Sequence, residues 1–228
     1  MKKINIAIDG PSGAGKSSLA KKVAKELDII YVDTGALYRT IGYYAKQKGL
    51  TFENITEVVD LLDEIKLDLC YKEGVQAVIL NGDDVSDHIR TSEISMYASA
   101  VSAIPEVRSF LLDTQRDIAK EHSVIMDGRD IATVVLPDAD VKIFLTADPK
   151  KRAERRYEEL KAKNPDISFE SVYNDMVTRD KNDSTRAVAP AIKAEDAILL
   201  DNTTLSEEES VKEALRIIFE KVGKYEVL

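Results

Sequence analysis

Residues Gly10, Pro11, Ser12, Gly13, Ala14, Gly15, Lys16 and Ser17 read G-P-S-G-A-G-K-S. This is a full match to the phosphate-loop pattern G-x-x-x-x-G-K-[ST], which has a mechanical meaning. Gly10, Gly13 and Gly15 let a short loop wrap so that backbone N–H groups point inward at phosphate oxygens. The helix that follows adds its positive N-terminal end. Lys16 reaches toward β- and γ-phosphates, and the Ser17 hydroxyl suits a Mg²⁺ ion. The alternative is a glycine turn that binds nothing. It does not explain the flanks: an apolar strand, Ile4–Ile8, before the loop, and a helix after it.

Asp127-Gly128-Arg129-Asp130 follows the apolar run Val124-Ile125-Met126. A carboxylate ending a strand beside a phosphate loop lies near the metal, and Asp127 fits that place, through water. Gly128 suggests a sharp turn that presents Arg129 and Asp130 outward. Arg152, Arg155 and Arg156 are spaced i, i+3, i+4 and share a helix face. They suit the charge that develops in phosphoryl transfer, or they form a solvated face. Arg179, Asp183 and Arg186 recur on another helix face, as a salt-bridge ladder or as part of a site. In Asp33-Thr34-Gly35-Ala36-Leu37-Tyr38-Arg39, Thr34 is a helix cap or a ligand, and Arg39 lies about a turn further on. Ser99 and Arg108 do not stand out by themselves.

The elements needed to position these groups are legible as alternation. Short apolar runs at Asn5–Asp9, Ile29–Asp33, Ser123–Asp127, Val141–Thr146 and Ala197–Asp201 lack strict period-two patterning and suit parallel strands buried on both faces. Helical spacing fills the intervals. Ser18–Leu27 places Leu19, Ala20, Val23, Ala24 and Leu27 on one face, and Val211, Ala214, Leu215, Ile218 and Val222 form a late stripe. The expected class is α/β: a parallel five-stranded core sheet flanked by helices. One region differs. Lys66–Tyr71 and Val75–Leu80 read as strands joined at Lys72-Glu73-Gly74, with a second turn at Asn81-Gly82-Asp83-Asp84. This small antiparallel sheet is inserted in the core and followed by helices over Ser92–Ala103 and Pro105–Lys120.

The 228 residues suit one large domain, or a core with a small insertion. A net charge of −9 argues against a nucleic-acid polymer as partner. A lone cysteine, Cys70, forms no intramolecular disulfide, fits a reducing compartment, and reads as a small core side chain. The chain opens on a strand without the pattern of a signal peptide. No stretch approaches the roughly 20 apolar residues of a membrane span. A cytoplasmic location without membrane association is expected.

Together the segments IDGPSGAGKSS, VDTGALYR, IRTSEIS, MDGRDIATVVLPDADVKIFLTA, RAERR, RDKNDSTRAVAP and DAILLDNTTLS, spread over Ile8 to Ser206, closely resemble the bacterial cytidylate kinases, within the nucleoside monophosphate kinase group. The resemblance implies a single P-loop kinase domain over 1–228, with a nucleoside-monophosphate-binding insertion at about 35–120 and a short helical lid at about 149–165. It implies ATP-dependent phosphorylation of CMP and dCMP with Mg²⁺. Gly10 to Ser18 would hold the ATP phosphates. Thr34, Arg39, Arg129 and Arg186 would hold the acceptor phosphate, with Arg179 nearby. Ser99, Arg108 and Asp130 would read the base, and Asp183 the ribose hydroxyls. Arg152, Arg155 and Arg156 would lie in the lid. Two departures are conservative: Ser17-Ser18 stands where some relatives have Gly-Thr, and Thr34 where serine is common.

The chemistry of the base agrees. Cytosine offers an amino donor, which suits Asp130, and N3 and O2 acceptors, which suit Arg108 and Ser99. Uracil would face Asp130 acceptor to acceptor, at a cost on the order of 1–3 kcal/mol. Other readings are an adenylate- or shikimate-type kinase, a GTPase-like switch, and a non-catalytic nucleotide-binding module. The first should lack the Arg129–Asp130 pair in this setting. A switch needs an Asn-Lys-x-Asp guanine reader, and Lys181-Asn182-Asp183 has neither the order nor a preceding strand. A binding module has no need of so many arginines. The expected partners are therefore small nucleotides (ATP, CMP, dCMP), and the chain is expected to act as a monomer.

Overall fold

The computed structural model describes residues 3–72, 75–162 and 164–223. In chain order the elements are β1 (Asn5–Asp9), α1 (Lys16–Leu27), β2 (Ile30–Asp33), α2 (Thr34–Gln47), a 3₁₀ helix (Ile55–Glu64), β3 (Leu67–Lys72), β4 (Val75–Leu80) and β5 (Asp83–Asp84). There follow α3 (Ser92–Val101), α4 (Pro105–Glu121), β6 (Val124–Gly128), a π-helical turn (Ile131–Val135), β7 (Val141–Thr146), α5 (Pro149–Lys161), α6 (Phe169–Thr185), β8 (Ile198–Asp201) and α7 (Glu207–Val222). Two compact units result, one of residues 1–31 with 122–228, the other of residues 32–121.

The first unit is built on a parallel sheet of order β2-β6-β1-β7-β8. Registers such as Ile8 opposite Asp127 and Ile143 bring the carboxyl ends of β1, β6 and β7 to one edge. That edge is where an open α/β sheet binds ligands. β1 and β6 are buried along nearly their whole length, which explains their lack of alternation. Ile6, Ile8, Ile143 and Leu145 pack with Leu19, Val23 and Leu27 of α1 and with Ala214 and Ile218 of α7. Each fully buried Ile or Leu contributes roughly 1.5–3 kcal/mol. α7 starts with a complete capping box between Ser206 and Glu209. α5 starts with Asp148, which accepts from the N–H groups of Lys150 and Lys151, and with Pro149 in its first turn.

The second unit holds the antiparallel sheet β3-β4-β5. Val78 and Leu80 of β4 pack with Leu37 and Ile41 of α2, Ile94 of α3 and Leu111 of α4. Gly42 lets α2 and α3 meet closely: a Cβ there would lie 2.9 Å from the Tyr97 Cβ.

Several readings need correction. The turn between β4 and β5 is only Asn81-Gly82, at φ of 51° and 96°, since Asp83 and Asp84 already pair with β4. Glu73 and Gly74 of the first expected turn lie outside the described residues. Cys70 is half-buried, not part of the core. The cap of α2 is Asp33, whose carboxylate accepts from the Ala36 N–H, while Thr34 is the first helical residue. The 3₁₀ helix and the π turn were not anticipated from the sequence.

Candidate active site

The loop after β1 is shaped by three positive-φ glycines. Gly10, Gly13 and Gly15 stand at φ of 148°, 70° and 89°. A Cβ on Gly10 would lie 1.9 Å from the Leu145 carbonyl oxygen, and one on Gly13 would meet the Met176 Cε at 2.9 Å and the Arg152 carbonyl oxygen at 3.0 Å. Lys16 is buried and donates across the loop to the Pro11 carbonyl at 2.8 Å. Burial, then the nearby Arg129, depresses the Lys16 pKa well below that of a free lysine, against the pull of Asp127.

Side chains from outside the loop hold it. The Ser12 N–H donates to Asp180 Oδ1 at 2.8 Å, while the Ser12 carbonyl accepts from Arg152 at 2.7 Å. Arg152 is itself paired with Asp180 and donates to the Ala147 carbonyl. The Asn202 amide donates to the Ala14 carbonyl at 3.1 Å, and Arg155 donates to both the side-chain and backbone oxygens of Asn202. The three spaced arginines therefore diverge in role. Arg152 is buried on the loop, Arg155 is braced on Asn202, and only Arg156, paired with Glu159, resembles the solvated face. A cavity beside the loop is lined by Gly13, Gly15, Ser18, Leu19, Arg155 and Asn202, among others.

Ser17 Oγ donates to Asp127 Oδ2 at 2.8 Å, and the buried Tyr31 hydroxyl fixes the other carboxylate oxygen at 2.7 Å. Two hard oxygen donors at the loop's end fit Mg²⁺, which binds through few protein oxygens and takes the rest from phosphate and water. No cluster of three or more His, Cys, Asp or Glu that could hold a metal occurs among the described residues.

Asp127 and Gly128 are both strand residues, and Gly128 pairs with Asp9. The expected sharp turn at Gly128 is absent. Asp130 is buried, not outward, and pairs with Arg186 at 3.3 Å. Arg129, half-buried, donates through Nε to Asp183 at 3.0 Å. Arg179 lies 3.9 Å from the same carboxylate. Arg179 and Asp183 do share α6, but Arg186 lies just past its end in extended backbone, so the expected ladder is broken there.

In the second unit, Arg39 pairs with the Asp33 carboxylate at 2.7 Å, and its buried Nε has no hydrogen-bond partner. The guanidinium passes over Gly35, where a Cβ would lie 2.9 Å from it. Burial pushes the Asp33 pKa up, but Arg39, the Ala36 N–H and Arg90 outweigh it and hold it below the ordinary carboxylate range. Thr34 is buried at the head of α2. Arg108 is buried, donates to the Ser102 carbonyl at 3.2 Å and lies over the Tyr38 ring at 5.6 Å. Ser99 is half-buried on α3.

Asp180, Asn202, Tyr31, Gln76 and Asp9 were not singled out from the sequence. Gln76 accepts from the Asp33 N–H at 2.8 Å. Asp9, the last residue before Gly10, was the most visible of them. It is buried and accepts from the N–H groups of Ile131 and Ala132 at 2.9 and 2.8 Å, tying β1 to the π turn that follows Asp130. Burial pushes its carboxyl pKa from 3.8 up to about 6, aided by the charge of Asp130 and opposed by the two N–H donors. The folded protein thus binds this proton more tightly than the unfolded chain. Asp9 favours the folded state most below about pH 4, and its contribution declines as pH rises through about 6. Carbon-13 NMR of the aspartate carboxyls should find one midpoint near 6, lost in Asp9→Asn. Midpoints all below about 5 would contradict this placement.

A glycine loop between a parallel strand and a helix, with a buried lysine at the start of that helix, defines the P-loop class of phosphate-binding α/β proteins. The family model described as "Cytidylate kinase" matches residues 6–220. The chain is 47% identical to the cytidylate kinase of Caldicellulosiruptor saccharolyticus over 98% of this chain and 99% of that one. It is 48% identical to the cytidylate kinase of Caldicellulosiruptor bescii over the full length of both. An uncharacterized protein of Eubacterium ventriosum of known crystal structure shares the fold at a TM-score of 0.52, with 16% identity over 95% of this chain and 98% of that one. The chain belongs to the cytidylate kinase family. No helix among the described residues is long and apolar enough to cross a membrane.

Proposed function

We propose that the protein transfers the γ-phosphoryl group of ATP directly to the phosphate of CMP or dCMP, giving CDP or dCDP and ADP. The observation that carries this reading is the coincidence of a complete phosphate loop with buried Asp130 beside Arg129 and Arg186, within a chain whose full-length relatives are cytidylate kinases.

The donor phosphates sit in the loop Gly10–Ser18, with Lys16 as the charge that follows the transferred group and Arg152, Arg155 and Arg156 closing over it. Ser17 and Asp127 would hold Mg²⁺, which when bound would offset phosphate charge. The acceptor phosphate falls to Arg129, Arg186 and Arg179, and the family resemblance adds Thr34 and Arg39. The buried Arg39 Nε is an unspent donor of the kind an anion satisfies. Asp130, Ser99 and Arg108 read cytosine, and Asp183 takes the ribose hydroxyls.

The acceptor is already an oxyanion at neutral pH, so no general base is required. Its oxygen attacks the γ-phosphorus in line while the β–γ bridging oxygen departs on ADP. Lys16 and the arginines stabilise charge spread over the transferred group, and their worth rises as water is excluded. We further propose a cytoplasmic monomer with nucleotides as its partners, the residues around 35–120 forming the acceptor-binding insertion and those around 149–165 the lid.

The test is ADP release from ATP·Mg²⁺ with CMP, dCMP, UMP, AMP, GMP and shikimate in turn. Selective turnover of CMP and dCMP is expected. Turnover of a different acceptor would keep the kinase and discard the base-reading residues. ATP binding without turnover of any acceptor would discard the kinase.

A further inference from the structure

Four of the charged groups assigned to the acceptor pair with one another. Asp130 pairs with Arg186, and both side chains are 6% exposed. Asp183, 5% exposed, pairs with Arg129, with Arg179 close behind. Each pair joins a residue suited to a phosphate with one suited to the nucleoside. We propose that CMP binds by exchanging these partners, so that phosphate recognition and cytidine recognition are thermodynamically coupled. This rests on the reading of the site as a CMP site.

A phosphate that draws Arg129 and Arg186 to itself weakens the ion pairs of two buried carboxylates, which is unfavourable unless new donors arrive. CMP brings those donors in the same molecule: the cytosine amino group for Asp130 and a ribose hydroxyl for Asp183. Inorganic phosphate brings none. Cytidine brings donors but no anion, so it must compete with Arg129 and Arg186 for the carboxylates. Each half of the ligand therefore prepares the protein for the other, and coupling of this kind is reciprocal. UMP would release Asp130 from Arg186 and then present it with a carbonyl. Discrimination against uracil is in this way greater when a phosphate is present than for the bare nucleosides.

The experiment is calorimetric titration of the full-length protein, its donor loop filled with the β,γ-imido analogue of ATP and Mg²⁺. Cytidine is titrated with and without saturating inorganic phosphate. Phosphate is expected to lower the cytidine Kd about tenfold, with no gain for uridine. In Arg186→Gln, which dissolves one pair, the gain should shrink below about twofold, and Arg129→Gln serves as a second variant with the same expectation. A cytidine Kd that is unchanged or weakened by phosphate in the unaltered protein would overturn the exchange while leaving CMP kinase activity in place. Failure of CMP itself to bind under these conditions would remove the CMP reading, and the exchange with it.

Discussion

Replacing Lys16 by methionine is expected to lower turnover with ATP and CMP by roughly 10²–10³-fold while leaving the melting temperature unchanged or higher. Methionine keeps the length of the apolar stem and removes the charge. The ammonium is buried and lies near Arg129 and Arg179, so its charged form is disfavoured in the folded protein. The substitution removes that cost. What is lost is a preorganised positive charge in a water-poor loop, where charge is worth far more than in bulk solvent. Steady-state kinetics alongside thermal unfolding checks both halves. Turnover within a few-fold of the unaltered protein would remove Lys16 from the mechanism.

Gly10→Ala should damage the fold itself. The residue stands at a φ of 148°, and its Cβ would be 1.9 Å from the Leu145 carbonyl oxygen. Leu145 belongs to β7, which pairs directly with β1, so the obstacle is sheet backbone and not a movable side chain. Relief requires the loop to leave the sheet edge or the strands to part. Backbone strain and the clash together should cost roughly 3 kcal/mol or more, a drop in melting temperature of about 6–12 °C. Nucleotide protection against thermal unfolding should fall as well. An unchanged melting temperature would mean that the loop sits differently against β7. Gly15 is the useful contrast, since the nearest atom to its Cβ would be the Asn202 Nδ2 at 3.8 Å and only the φ of 89° resists substitution.

The contrast between loop and surroundings explains what the sequence reveals. The loop is a local object: its glycines, lysine and serine are contiguous, and strand and helix must flank it. The five strands are likewise legible because burial on both faces leaves runs of Ile and Val. Side-chain partnerships are not local. Arg152 could be read only as one of three arginines on a helix face, because its fate depends on Asp180 and Ser12, 28 and 140 residues away. Asp130 looked outward because glycine suggested a turn, yet β6 runs through Gly128 and the Ile131 and Ala132 N–H groups are captured by Asp9 from another strand. Thr34 and Asp33 were separable only by which side chain accepts the Ala36 N–H, since both types cap helices. The pairing of Arg129 with Asp183 and of Arg186 with Asp130 crosses more than 50 residues each time and has no signature in spacing.

The most direct test of the account is a competition in one vessel. Equal concentrations of CMP and UMP, both below saturation, are incubated with the protein and ATP·Mg²⁺, and the diphosphates formed are separated and quantified at early times. The ratio of products gives the ratio of kcat/KM values directly. Excess of CDP over UDP by a factor of roughly 10–100 is expected from the facing of Asp130 against the cytosine amino group. Equal amounts of CDP and UDP would contradict that assignment, and the absence of CDP would contradict the proposed reaction itself.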